Sequence, residues 1–286
     1  MCIRDRRKLD ALGHGTIWLI AAGVTLPALL LLPHALRNWQ RISSGGWPLF
    51  LCGLALALTC TFYAEGAMRG NVARVILLFY LTPVWSTLLA RWILQEPITG
   101  RRLLTIALGM CGMWILLGGG SGSFIPRPAD TAEWMGLAAG IFWACATVSI
   151  QKTRKLPILD IAFPGFALFA LCFISVTLIP GGRTWQSLPE LALVDALLWV
   201  VLIAVLWHLP AILLTLFGAA EVEPGRVAIL LMMEVVVGVG SAALLTDEVF
   251  GLRELIGALF IVSAGVAEFV PIPRLFVKKP DKKFWH

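Results

Sequence analysis

The sequence predicts an all-α membrane protein: nine transmembrane helices from a ten-helix bundle built as an inverted five-plus-five repeat. Three observations carry this reading. First, the 286 residues are 59% hydrophobic and 14% charged, with a mean hydropathy of +0.86. A soluble domain carries about 25% charged residues to furnish its polar shell, and nothing here supplies one. Second, the apolar residues gather into stretches near the roughly 20 residues that a helix needs to cross about 30 Å of hydrocarbon. Third, the second half of the chain echoes the first. The same composition excludes secreted disulfide scaffolds, disordered tails and nucleic-acid binders.

Taken in order, the predicted spans are 16–33, 47–67, 72–93, 103–118, 134–151, 161–180, 194–216, 227–245 and 255–270. Loop punctuation separates them: Ser43-Ser44-Gly45-Gly46, Gly118 to Pro128, Gly181-Gly182, and Glu223-Pro224-Gly225. Lys and Arg near span ends stay on the cytoplasmic side, so their distribution sets the orientation. With the first span running inward, one side receives fourteen: Arg37, Arg41, Arg91, Arg101, Arg102, Lys152, Arg154, Lys155, Arg226 and the tail residues Arg274, Lys278, Lys279, Lys282 and Lys283. The other side receives five, namely Arg69, Arg74, Arg127, Arg183 and Arg253, plus four in the leader. The C-terminus is therefore expected in the cytoplasm and the protein in the inner (plasma) membrane. The net charge of +6 reports on this orientation rather than on a polyanionic partner.

An ungapped offset of 152 sets Arg74-Val75 over Arg226-Val227, Gly66-Ala67 over Gly218-Ala219, Ala90 over Ala242, Glu96 over Glu248, Arg101 over Arg253 and Leu103 over Leu255. Each unit reads as helix, helix ending in a Glu turn, then helix. The charge count puts the Glu96 turn inside and the Glu248 turn outside, so the halves have opposite topology, as in carriers built from inverted repeats. The second half holds five spans and the first holds four, with 16–33 matching 161–180. A counterpart of 134–151 is missing, which implies a ten-helix parent. The leader MCIRDRRK reads as adapter-derived sequence and, with residues up to 13, is set apart from the fold. The organisation is then 14–120 as a truncated first repeat, 133–271 as the second, and 272–286 as a basic cytoplasmic tail.

Cys52, Cys60, Cys111, Cys145 and Cys172 fall in apolar stretches, Cys2 lies in the leader, and no CxxC occurs. His14, His34, His208 and His286 lack ligand spacing. The cysteines read as small buried hydrophobes, and neither a metal nor a cofactor is expected.

Several motifs resemble the drug/metabolite transporter superfamily, EamA-like family. In the first half they are Leu78-Phe-Tyr-Leu-Thr-Pro83, Leu88-Leu-Ala90, Glu96-Pro97 and the Gly109/Gly112 helix closing on Gly118-Gly-Gly120. In the second they are Ala242-Ala-Leu-Leu-Thr-Asp-Glu248 and Gly257 with Gly265. Phe142-Trp-Ala-Cys-Ala-Thr-Val-Ser-Ile-Gln-Lys152 is similar to the sixth helix of aromatic amino-acid exporters in that superfamily. One departure stands out: Glu234-Val235 replaces the Thr82-Pro83 of the first half. The resemblance implies a central cavity lined by 47–67, 72–93, 134–151, 194–216 and 227–245.

Within those spans six residues are candidate substrate ligands. Glu234 lies deep in its span, where a lipid-facing ionisable group costs at least a few kcal/mol. It reads either as a proton or ammonium site or as a protonated cap on free carbonyls. His208 precedes the helix-breaking Pro210 and is either a proton shuttle or a packed ring. Tyr63, Tyr80, Trp85 and Trp143 either grip a substrate by stacking or serve packing. Glu65 and Arg69 read as an i,i+4 pair, Glu96 and Glu248 as turn braces. Trp39, Trp47, Trp134 and Trp185 sit at span borders as an interfacial belt. Gly136/Gly140, Gly109/Gly112 and Gly238/Gly240 invite close helix approach. Pro27, Pro83, Pro164 and Pro210 interrupt the helical ladder.

The expected function is a secondary carrier for small organic metabolites, with amino-acid export leading. Its partners are a small-molecule substrate, the lipid bilayer and protons, with no nucleic acid. An intramembrane enzyme is the rival class, and it would show paired nucleophile and base or a metal cluster; a non-functional carrier fragment is a third reading. The charge count generates a topology prediction. A reporter fused after His286 should signal cytoplasm and one placed in 119–132 the outside, and both on one side would overturn the inverted repeat.

Overall fold

A computed structural model describes residues 16–70, 72–118, 128, 130–178, 198, 201–245 and 251–269. The described residues are helical throughout, without strands. The helices are α1 (Thr16–Arg37), α2 (Trp39–Ser44), α3 (Gly46–Arg69), α4 (Val72–Phe79), α5 (Thr82–Leu89), α6 (Gly100–Met113), α7 (Thr131–Thr153), α8 (Ile158–Leu178), α9 (Leu209–Glu221), α10 (Pro224–Leu245) and α11 (Leu252–Phe269). π-helical turns continue α5 through Ala90–Leu94 and α6 through Trp114–Gly118, and another, Ile203–His208, leads into α9. Among the described residues the predicted spans are helical, except that 72–93 is interrupted by a turn at Tyr80-Leu81. Among the described residues, five stretches are both long and apolar enough to cross a membrane: Gly46–Arg69, Arg74–Leu94, Thr131–Thr153, Ile158–Ser175 and Ile203–Glu221. Trp185, Glu248, the 181–182 loop and the basic tail lie outside the described residues.

Proline chemistry explains where the helices break. Pro83 has no N–H to give the Phe79 carbonyl four residues back. The chain turns at Tyr80-Leu81, and α5 restarts with Pro83 in its first turn. The Thr82 hydroxyl donates to the Phe79 carbonyl instead. In α10 the equivalent residue is Val235, which keeps its N–H, and the helix runs unbroken. Pro210 acts similarly on α9: ahead of it the Leu209 N–H reaches back to the Ala204 carbonyl, five residues away, in a π turn. Pro27, Pro33 and Pro164 stay inside their helices.

Small residues set the packing distances. α7 lies against α3, α4 and α5. A Cβ on Gly136 would come within 2.6 Å of the Val75 carbonyl oxygen, and one on Gly140 within 2.6 Å of that of Phe79. α6 and α11 run antiparallel and meet where Gly112 faces Gly257: a Cβ on either would come within 2.9 Å of the other's carbonyl oxygen. Arg101 donates to the Ala267 carbonyl and Arg253 to that of Ile115, both at 2.6 Å. Each arginine thus caps the far end of the opposite helix. The expected approach at Gly240 does not form, because that position faces open space; the Gly238 side chain position is outside the description. α8 packs on α3, with Gly53 against Pro164, and α1 packs on α8 and on Ile203–His208.

The main core runs between α1, α3, α7, α8 and α9, with Leu56, Trp143, Ile150, Ile161, Phe166 and Leu216 buried at its centre. Trp39, Trp47 and Trp134 are exposed at helix starts, as the belt reading expects. A matched pair of substitutions tests the close contacts. Gly140→Ala should lower the thermal midpoint in detergent, because the clash is with backbone. Gly218→Ala, which meets nothing within 4 Å, should be neutral or stabilising by up to about 1 kcal/mol from helix propensity.

Candidate functional site

Two groups of predicted residues come together in the interior. At the joint of α3, α4 and α10, the Tyr63 ring meets Phe79 edge-on at 5.1 Å, and Phe79 meets Tyr80 edge-on at 5.2 Å. The Tyr80 hydroxyl donates to the Leu231 carbonyl at 3.0 Å, so a buried phenol from α4 is tied to the backbone of α10. Glu234, one turn further along α10, lies within electrostatic reach of both phenols. Its side chain is exposed, and with Leu230 and Val237 it forms an open stripe on α10. No hydrogen bond or ion pair holds its carboxylate among the described residues. The spacing of i, i+4 and i+7 puts these three on one helical face.

The second group lines a narrow apolar cleft of about 30 Å³ between α3, α7, α8 and α9. Trp143 and Cys60 form one wall, Phe166, Phe169 and His208 the other. His208 stands edge-on to Phe166 at 5.8 Å. The indole N–H of Trp143 is buried and has no acceptor. A buried donor without a partner costs about 1–3 kcal/mol. Phe79 packs against the core that contains Trp143, so the two groups are contiguous.

The remaining expectations divide. His208 and Glu234 belong to different groups, and nothing joins them. Trp85 sits on α5 with its own indole N–H buried and unpartnered, and makes no aromatic contact with either group among the described residues. Glu65 and Arg69 pair at 2.7 Å.

Sequence reasoning missed the charge clusters at the helix ends. Asp160, fully buried at the start of α8, accepts from Arg41 at 2.5 Å and contacts the His34 ring at 2.8 Å. Arg74 of α4 pairs with the buried Glu133 of α7 at 2.9 Å. Arg102 of α6 donates to Glu223 ahead of α10 at 2.5 Å and to Glu268 of α11 at 3.0 Å. Gln151 of α7 donates to the carbonyls of Ala219 and Val222, both at 2.8 Å, capping α9. Most of these partners lie more than a hundred residues apart, beyond any local pattern.

Long apolar helices with interior aromatic and acidic groups define a multi-pass membrane protein. The chain belongs to the EamA-like transporter family, whose model matches residues 7–118 and 130–267. It is therefore a membrane transporter of the drug/metabolite type. Among curated proteins none matches it. A solved crystal structure of another protein is similar in fold, with a TM-score of 0.65 at 18% identity over 88% of this chain and 86% of that one.

The Tyr80 bond supplies a direct check of the joint. Tyr80→Phe removes one buried hydrogen bond and little volume, and should destabilise the protein by about 1 kcal/mol. Thermal unfolding in detergent would read this, and an unchanged midpoint would show that the bond contributes nothing.

Proposed function

We propose that the chain is a secondary carrier of small organic metabolites, with amino acids the leading substrate class and export the direction, working by alternating access of two inverted repeats. The observation that carries this reading is Glu234. A short acidic side chain in the middle of a long apolar helix is costly against lipid and suits a water-filled path. It neighbours two phenols, at the joint where α4 meets α10, and the apolar cleft of Trp143 and His208 adjoins the same core. An exposed carboxylate within electrostatic reach of two phenols suits an ammonium group or an exchangeable proton.

Paired contacts support the inverted repeat. Arg101 to Ala267 and Arg253 to Ile115 are the same contact displaced by the 152-residue offset. The packing of α8 on α3 has its counterpart in α1 on Ile203–His208. Under the same offset Glu234 takes the place of Thr82, which α7 covers through Gly140. The charge count supports a cytoplasmic C-terminus, and the inner membrane is part of the same proposal.

The test uses the full chain in proteoliposomes, an imposed pH gradient and a panel of radiolabelled aromatic and aliphatic amino acids. Glu234→Gln should abolish accumulation driven by the gradient while leaving exchange of internal for external substrate. Normal gradient-driven transport by the Gln variant would make Glu234 structural and the carrier a uniporter. No movement of any panel member by the unaltered chain would remove amino acids as the substrate class.

A further inference from the structure

The charges at the end of the bundle where α6 begins form a closed circuit between elements of the two halves. Arg102 donates to Glu223 and to Glu268; Arg226, in the first turn of α10, stands 3.3 Å from each of the same two carboxylates. Thr105 donates to the second oxygen of Glu268 at 2.8 Å. Arg102 and Glu268 are almost fully buried. The fit is tight: a Cβ on Gly225 would fall 2.2 Å from the Arg102 guanidinium and 2.9 Å from the Thr87 hydroxyl. Thr87 is buried directly behind this plug.

Glu96, in the turn between α5 and α6, adds a third carboxylate to two guanidiniums. Within its electrostatic reach are Arg102 of α6, Glu223 of the loop ahead of α10 and Arg226 of α10, while α11 contributes Glu268 through its pairs with both arginines. One Glu96 oxygen is buried without a hydrogen-bond partner. The turn that holds it is itself constrained, since Gln95 sits in the left-handed region at φ 57°. Burial pushes the Glu96 carboxyl up from its ordinary value and the nearby Glu223 pushes it further, while Arg102 and Arg226 pull the other way.

The opposite end of the α6–α11 pair has no such circuit among the described residues. The positions offset by 152 from Thr105 and Glu268 are Gly257 and Leu116, which meet through apolar contact. The counterpart of Arg102 is Glu254, occupied with the Gly251 N–H at 2.9 Å.

We infer that Arg102, Arg226, Glu223 and Glu268 form an ionic lock closing this one end of the bundle, and that a proton on Glu96 holds the lock shut. Breaking buried ion pairs in a dry site is strongly unfavourable, but a gate that opens admits water, and water rehydrates the separated charges. An ionic plug is therefore reversible where it seals a hydrated path. With Glu96 neutral, two cations balance two anions. With Glu96 ionised, the surplus negative charge repels Glu223 and loosens its hold on Arg102. The sign follows from linkage. The closed lock binds the Glu96 proton more tightly than an open, hydrated one, so closure is favoured at low pH and lost as pH rises through the raised value. The gating consequence rests on the carrier reading; the lock itself is measured without any substrate.

The experiment places a thiol behind the plug. Thr87→Cys is made in a full-length chain whose native cysteines are changed to alanine, and its rate of reaction with a bulky maleimide is measured in detergent at pH 5.5 and 8.5. Dividing by the rate of the exposed Leu103→Cys cancels the pH dependence of thiol chemistry. The ratio should rise about tenfold with pH, because the proton that favours closure is lost. Adding Glu96→Gln should keep it low at both pH values. Gly225→Ala, which drives a methyl into the Arg102 guanidinium, should raise it at both, and Glu223→Gln should do the same. A flat ratio in the Glu96 protein, or an unchanged rise with Glu96→Gln, overturns the proton's role. A ratio unmoved by both Gly225→Ala and Glu223→Gln overturns the lock. Failure of amino-acid transport would leave all of these readings untouched.

Discussion

A backbone carbonyl that loses its helical N–H inside a bilayer has no water to accept from. That shortage of donors organises this bundle. Pro83 strips the Phe79 carbonyl, and the Thr82 hydroxyl replaces the lost donor. The last carbonyls of α9 receive Gln151. Those near the ends of α6 and α11 receive arginines from each other's first turns. The Tyr80 phenol goes to Leu231. In each case the donor comes from a different part of the chain or bridges a break, so satisfying the backbone also fixes which helices are neighbours.

Attraction between apolar side chains cannot do this in lipid, where tails are as apolar as leucine. Close approach does it instead. Gly136 and Gly140 let α7 settle onto the carbonyl side of α4, and Gly112 with Gly257 brings α6 and α11 into contact along their backbones. These seams are rigid because backbone meets backbone. The joint around Tyr63, Tyr80 and Glu234 is built differently, from rings and a carboxylate without a fixed partner. α4 takes part in both, with its carbonyls at Val75 and Phe79 against α7 and its Phe79 ring against Tyr63 and Tyr80.

Some of the site was legible and some was not. The depth of Glu234 in an apolar run marked it as needing water or protein, and the GxxxG at Gly136 marked a close contact. Both are local features. Glu234 and His208 both lie deep in adjacent spans, and their sequence positions alone do not say whether they meet. Helix rotation separates them: His208 turns toward Phe166 and the cleft, while Glu234 stands exposed on the stripe of Leu230 and Val237. Glu96 reads as a turn brace, yet its surroundings are assembled from Arg102, Glu223 and Arg226. No spacing rule reaches across 121 residues from Arg102 to Glu223.

The sequence by itself determined the solvent, the helical secondary structure and the membrane class. Hydropathy and proline act on the residues beside them, and a bilayer allows a long apolar segment few forms besides a helix. Tertiary structure alone decided which face of each helix meets which neighbour. An apolar helix in lipid has little amphipathic contrast to declare its buried side, so rotation is settled by distant contacts: a glycine against a carbonyl, a phenol on a backbone oxygen, an arginine shared between two carboxylates.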